Sequence, residues 1–281
     1  MGKLILILLM IGIFSFSWAA EWEKEASVSF TMSQQSYSKN WSGIETGSIS
    51  WIFNADFLAE KELSELINNK NSVKIAFGQT HNQVFDSEEG EKNWESPQKS
   101  TDVIDIKSRL RFKLGKMVDP FCSLRLESQF IDESGEDNKI FNPNTITEAF
   151  GLARIWQKEE SKEFSTTLGA AFKQYIDANL NDATNDGGLE IVSEYKTPVF
   201  KEIIHYNSTL SLYKPFYYSE SDDMENDDWK TMRLDWQNDF DVKLHSLVAL
   251  KFYFQVIYNK LEDDEIQMQE TLGIGISYKL F

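Results

Sequence analysis

The chain holds a single cysteine, Cys122, so no intrachain disulfide can staple it. Its 281 residues include only five prolines and fourteen glycines, and no low-complexity tract appears. That composition excludes a collagen-like or linker-like chain. After the first fourteen residues no apolar run reaches the ~20 residues that a membrane-spanning helix needs. The most apolar later stretch, 247–258, is interrupted by Lys251 and Gln255. Basic residues are scarce beside acidic ones, 28 against 45 for a net charge of −17, which argues against binding nucleic acid or anionic lipid through bulk charge. There is no glycine-rich phosphate loop, no Cys/His zinc spacing and no serine elbow.

The amino terminus is one lysine followed by an apolar run, and Ser17-Trp18-Ala19 then fits the small-x-small pattern of a cleavage site. Residues 1–19 read as a secretory signal peptide, with cleavage after Ala19 or Ala20, and 20–281 as one domain. A secreted chain of this size without disulfides needs a large core or a closed sheet.

The rest of the chain alternates. From Thr101 to Ile131, Ile104, Ile106, Leu110, Phe112 and Leu114 share one side, and Asp105, Lys107, Arg109, Arg111 and Lys113 the other. After a short turn, Cys122, Leu124, Leu126 and Phe130 oppose Ser123, Arg125, Glu127 and Gln129. A period of two is that of extended strands, and the turn makes the pair an antiparallel hairpin. Cys122 on the apolar face reads as a small hydrophobe rather than a nucleophile. Twelve such runs can be read, ten remaining the alternative because the sixth and eighth are weak. Leu58–Leu66 is the one segment that could form a helical turn.

Connections alternate too. Those at 115–120, 157–163, 196–201 and 241–246 are short, with Lys61–Asn71 a longer exception. The other six are mostly long and carry 23 acidic residues against 6 basic ones, so the acid excess sits at one rim. Short turns at one rim, long loops at the other, charges on one face and apolar residues on the opposite face predict an all-β, antiparallel, up-and-down transmembrane barrel of about twelve strands. The lumen-assigned residues include Lys107, Arg109, Arg111, Lys113, Arg125, Glu127, Lys173, Arg233, Asp235 and Lys251. Trp51, Phe57, Trp94, Phe121, Trp156, Phe164, Trp229, Trp236, Tyr258 and Tyr278 recur near run ends, as interfacial aromatic girdles would. The final strand carries Tyr278 and the terminal Phe281, an expected assembly signal, although residues three apart do not share a strand face.

The stretch Ser100–Leu114 followed by Phe121–Asp132, with Phe141-Asn-Pro143 before Phe150-Gly-Leu and Leu272-Gly-Ile-Gly near the end, resembles a bacterial family of unknown function regarded as outer-membrane β-barrels. The resemblance implies a fold and a location in the outer membrane, and no activity.

Functionally, the row Lys107, Arg109, Arg111, Lys113 and Arg125 is the leading feature. Cations lining a narrow pore would select anions. The competing reading pairs them with Asp105, Glu127 and Asp235 in a plugged interior. Outer-membrane hydrolases place His and Ser two apart on the lipid face beside a polar neighbour. His81, His205 and His245 do not have that spacing, so no enzyme and no cofactor are expected. The acidic runs at 182–188 and 222–228 lack EF-hand spacing and read as solvated loops, weak divalent-cation bridging being the lesser expectation. Expected partners are outer-membrane lipid and the barrel-assembly machinery.

Overall fold

The computed structural model describes residues 22–38, 45–86, 91–115, 117–159, 161–180, 183–200 and 203–280. The signal segment and Phe281 lie outside the described residues. Twelve long strands dominate: β1 (Glu23–Gln35), β2 (Ser48–Ser64), β3 (Ile67–Asp86), β4 (Gln98–Phe112), β5 (Asp119–Ser128), β6 (Asn144–Lys158), β7 (Glu163–Ile176), β8 (Thr184–Val199), β9 (Ile204–Tyr218), β10 (Arg233–Lys243), β11 (Val248–Tyr258) and β12 (Gln267–Lys279). Each pairs antiparallel with the next, and β1 pairs with β12 through Ser27–Lys279, Phe30–Ile276 and Thr31–Gly275. The sheet is therefore a closed twelve-stranded up-and-down barrel without free edges. A short strand, Glu91–Trp94, extends the β3–β4 hairpin, and Ile131–Asp132 pairs with Lys139–Ile140 inside the β5–β6 loop.

All twelve expected runs fall on these strands. The segment Leu58–Leu66 does not form a helical turn. Residues 58–64 continue β2 in register with β3, and the connection shrinks to positions 65 and 66. The paired Glu60–Lys70 and Ala59–Asn71 rungs outcompete the local helical period, and the expected longer connection at Lys61–Asn71 disappears. The rule of rims is cleaner for it: connections at one rim are two to six residues long, and those at the other seven to fifteen.

Side-chain burial is inverted relative to a soluble protein. Phe30, Phe53, Phe150, Leu152, Leu168, Leu189, Leu272, Ile274 and Ile276 stand exposed on the outer wall, while Glu60, Asn68, Thr147, Ser165 and Asp186 are buried within. Cys122 is exposed on this wall, in register with Leu110 and Phe150. An apolar wall that continues around a molecule is matched to hydrocarbon rather than water. No helix of the described residues is long and apolar enough to cross a membrane, so the crossing belongs to strands.

Two chains of aromatic rings mark the interfaces. Towards the long-loop rim, Phe30, Trp51, Phe77, Phe130 and Phe141 follow one another at centroid spacings of 5.9–6.2 Å. Towards the short-turn rim, Trp156, Phe164, Tyr195, Tyr206, Phe240 and Phe252 do the same across β6–β11 at 4.5–6.1 Å. Phe121, expected in a girdle, instead points inward and is buried with Ala149, Ala153, Ala171 and Tyr213. The pleat decides this, because Arg125 and Phe121 lie an even number of residues apart on one strand.

Candidate functional site in the barrel lumen

Inward-facing charge is divided between two walls. Strands β3–β5 contribute Lys70, Lys74, Lys107, Arg109, Arg111 and Arg125. Strands β7–β10 contribute Glu163, Asp186, Glu190, Glu194, Asp235, Asp239 and Asp241. Strands four or five positions apart around the barrel face each other across the lumen, and their side chains meet there. Glu194 on β8 takes Lys107 through Oε1 and Arg109 through Oε2, each at 3.0 Å. Lys70 reaches Glu163 at 2.8 Å, Lys74 reaches Asp239 at 3.4 Å, and Lys158 on β6 reaches Glu60 on β2 at 2.7 Å. Twelve strands make this geometry available. Eight leave an interior just wide enough for side chains, and sixteen open an aqueous channel. At the intermediate width, one long cation and one glutamate together bridge the gap.

Other pairs stay on one wall. The Arg125 guanidinium grips Asp105 with a fork, Nε to Oδ1 at 3.0 Å and Nη2 to Oδ2 at 2.8 Å, and also meets Glu127 at 3.1 Å. Arg111 pairs with Asp119 at 2.8 Å, Lys113 with Glu62 at 2.8 Å, Arg233 with Asp186 at 2.7 Å, Lys173 with Glu190 at 3.5 Å and Lys251 with Asp241 at 3.1 Å. Of the carboxylates expected beside the cation row, Asp105 and Glu127 both meet Arg125. Asp235, expected in the same role, accepts instead from the amides of Gln237 and Gln255, each at 2.8 Å. It sits on β10, where those two amides take both of its oxygens. The partner of Lys107 and Arg109 is Glu194, which sequence reasoning missed. Its signal was the inward parity of Glu190 and Glu194 on β8, visible once Leu189 and Ile191 are read as outward.

Apolar filling supplements the charges. Phe121 lies in register with Gly151, and Gly151 with Gly169. A Cβ on Gly169 would come within 3.2 Å of the Phe121 ring and 2.5 Å of the Phe150 carbonyl oxygen. Gly169 is the floor on which that ring rests, while Gly151 lets the β7 backbone approach. Lys173 Nζ stands 4.0 Å above the Tyr213 ring, a cation–π contact inside the lumen. Two small cavities lie among the described residues beside the cationic wall, each of about 20 Å³, the room one water needs. One is lined by Lys70, Ser72, Lys107, Arg109 and Glu194.

At the long-loop rim, two loops are tied by a polar knot. Asn142 Nδ2 donates to Asp132 at 2.6 Å and to Asp177 at 2.8 Å, and Asn179 Nδ2 donates to Asp132 at 2.9 Å. Hydrogen bonds from Ser134, then Asn142 and Asn179, hold the Asp132 carboxyl down at about 2, and Asn142 and the Asn179 backbone lower Asp177. Among the described residues, no three His, Cys, Asp or Glu side chains cluster as metal ligands. His245 Nδ1 lies 3.0 Å from Ser246 Oγ in an exposed turn.

Residues 32–133 match the model of a family described as a protein of unknown function (DUF3078). The matched stretch runs from the upper part of β1 through β5 and contains the cationic wall. The resemblance read at 141–152 and 272–275 lies beyond it. No curated protein matches the chain. Among solved structures, the outer membrane channel COG4313 from Pseudomonas putida F1 is similar at 9% identity, covering 95% of this chain and 97% of its own, with a TM-score of 0.42. The translocator domain of the autotransporter NalP from Neisseria meningitidis is similar at 9% identity, 99% and 95% coverage and a TM-score of 0.37. The toluene transporter TbuX from Ralstonia pickettii gives 7%, 92% and 88%, and 0.28.

Proposed function

We propose that this chain is an outer-membrane β-barrel whose lumen is held shut by ion pairs reaching across it, a non-conducting barrel that presents acidic loops at the cell surface. The observation that carries the reading is the Glu194 carboxylate, shared by Lys107 and Arg109 from the facing wall. A pair in a confined, low-dielectric lumen holds far more tightly than the same pair in water. The signal-like segment 1–19 supports export. Tyr278, outward on the closing strand beside Leu272, Ile274 and Ile276, supports recognition by the barrel-assembly machinery.

The test is conductance in planar bilayers. The native barrel inserts silently, whereas Glu163→Gln with Glu194→Gln releases Lys70, Lys107 and Arg109 and gives anion-selective current. Steady current from the native barrel would overturn the reading. It would favour a narrow anion channel instead, a role supported by the two small cavities along the cationic wall.

A further inference from the structure

The outer wall of β6 carries a cation that no lumen pairing accounts for. Arg154 shares the parity of Phe150, Leu152 and Trp156, which are 69%, 47% and 52% exposed, and opposes the buried Ala149 and Ala153. It therefore faces hydrocarbon. Among the described residues no carboxylate pairs with it. Its outward neighbour in register on β7 is Thr166, and Val118 stands exposed at the foot of β5. An unpaired charge on the lipid face costs several kcal/mol at mid-membrane and little near an interface, so the depth its head group reaches decides what it meets.

Its geometry says where. Strand β6 runs down to the short-turn rim, and Arg154 lies two residues above Trp156, a girdle residue. The guanidinium folds back over the Trp156 ring, 4.0 Å from its centroid, which takes the charge from hydrocarbon depth to the level of the girdle. The ring is itself fixed. Its Nε1 donates to Thr166 Oγ1 at 3.1 Å, and that hydroxyl meets Ser193 Oγ at 3.2 Å. Stacking on a held ring leaves the planar guanidinium edge free to offer two parallel donors, the geometry that fits a phosphate.

We propose that Arg154, stacked on Trp156, binds the phosphate of a phospholipid in the leaflet at the short-turn rim. This rests on the outer-membrane reading above, under which that leaflet faces the periplasm. One local cation does this in spite of the acidic chain as a whole.

The test uses the full mature chain refolded in a non-ionic detergent, with phosphatidylglycerol as the probe and bound lipid counted by native mass spectrometry. The native barrel retains one lipid. Arg154→Gln weakens retention roughly ten- to hundred-fold, as loss of a charge-assisted bidentate contact does. Arg154→Lys falls between, and Glu270→Gln, an outward charge near the other rim, changes nothing. Unaltered retention in Arg154→Gln overturns the site. Equal retention of diacylglycerol overturns it in favour of acyl-chain packing. Displacement of the lipid by millimolar inorganic phosphate overturns the lipid assignment in favour of a free-anion site. Heat-modifiable gel migration of each variant reports the barrel separately. A native chain that folds without detergent overturns the membrane reading, whereas a folded barrel with unaltered lipid counts overturns only the site.

Discussion

Asp132 is a carboxylate whose environment has been built to keep it ionised. Three neighbouring residues donate to it, and its titration is lowered from an ordinary 3.8 to about 2. A depressed carboxyl lends stability that is present above the unfolded value and is lost as pH falls through the folded one. The knot between Asp132–Asn142 and Asp177–Asn179 therefore holds at neutral pH and loosens between pH 4 and pH 2. Hydrogen exchange across residues 131–142 is expected to accelerate over that window. In Asp132→Ala the exchange is already fast at pH 7, and a native-like rate there would show that the knot does not order the loop. Asp177, lowered by Asn142 and the Asn179 backbone, shifts in the same direction and sharpens the loss.

Strands are where reading and structure agree best, and the β6–β7 pair shows why. Phe150, Leu152 and Trp156 announce an outward face by period alone. Their partners Ala149, Gly151 and Ala153 look weak as a sequence because small residues carry little hydrophobic signal. In the barrel Ala149 and Ala153 are small beside the Phe121 ring of β5, and Gly151 is small because the β7 backbone lies against it. A Cβ at Gly151 would lie 2.1 Å from the Leu168 carbonyl oxygen, too close for any side chain without a backbone shift. Gly151→Ala is expected to cost about 1–3 kcal/mol through overpacking, read as a lower urea midpoint for unfolding from lipid vesicles. An unchanged midpoint would mean that the pair can spread without loss. The same strand held what periodicity could not reveal. Arg154 sits at an apolar position of the pattern, and its meaning depends on Trp156 and on the lack, among the described residues, of a carboxylate paired with it, both of them facts of three dimensions. Glu194 was hidden differently. Parity with Leu189 and Ile191 outward puts it inside, but only closure of the sheet shows which cations lie opposite. The Leu58–Leu66 segment errs the other way, since a locally helical spacing yields to thirteen residues of ladder with β1 and to the rungs of β3.

The whole molecule depends on one seam. Strands β1 and β12 join the ends of the chain through five register pairs between Ser27 and Lys279. Without it, the remaining strands form an open sheet with two bare edges in lipid, which hydrocarbon does not tolerate. Removing residues 267–281 is expected to abolish the compact, heat-modifiable form altogether rather than weaken it. A truncated chain that still migrates as a folded barrel would show that eleven strands can close. The two aromatic chains add a property of the barrel as a body. One runs along β1–β3 and the β5–β6 loop near the long-loop rim, and the other along β6–β11 near the short-turn rim, so opposite flanks are anchored at opposite depths. A bilayer that thickens draws those two anchor lines apart, and a rigid cylinder answers by leaning rather than stretching. The barrel's inclination then becomes a gauge of the membrane around it, and the acidic loops swing with it towards one side.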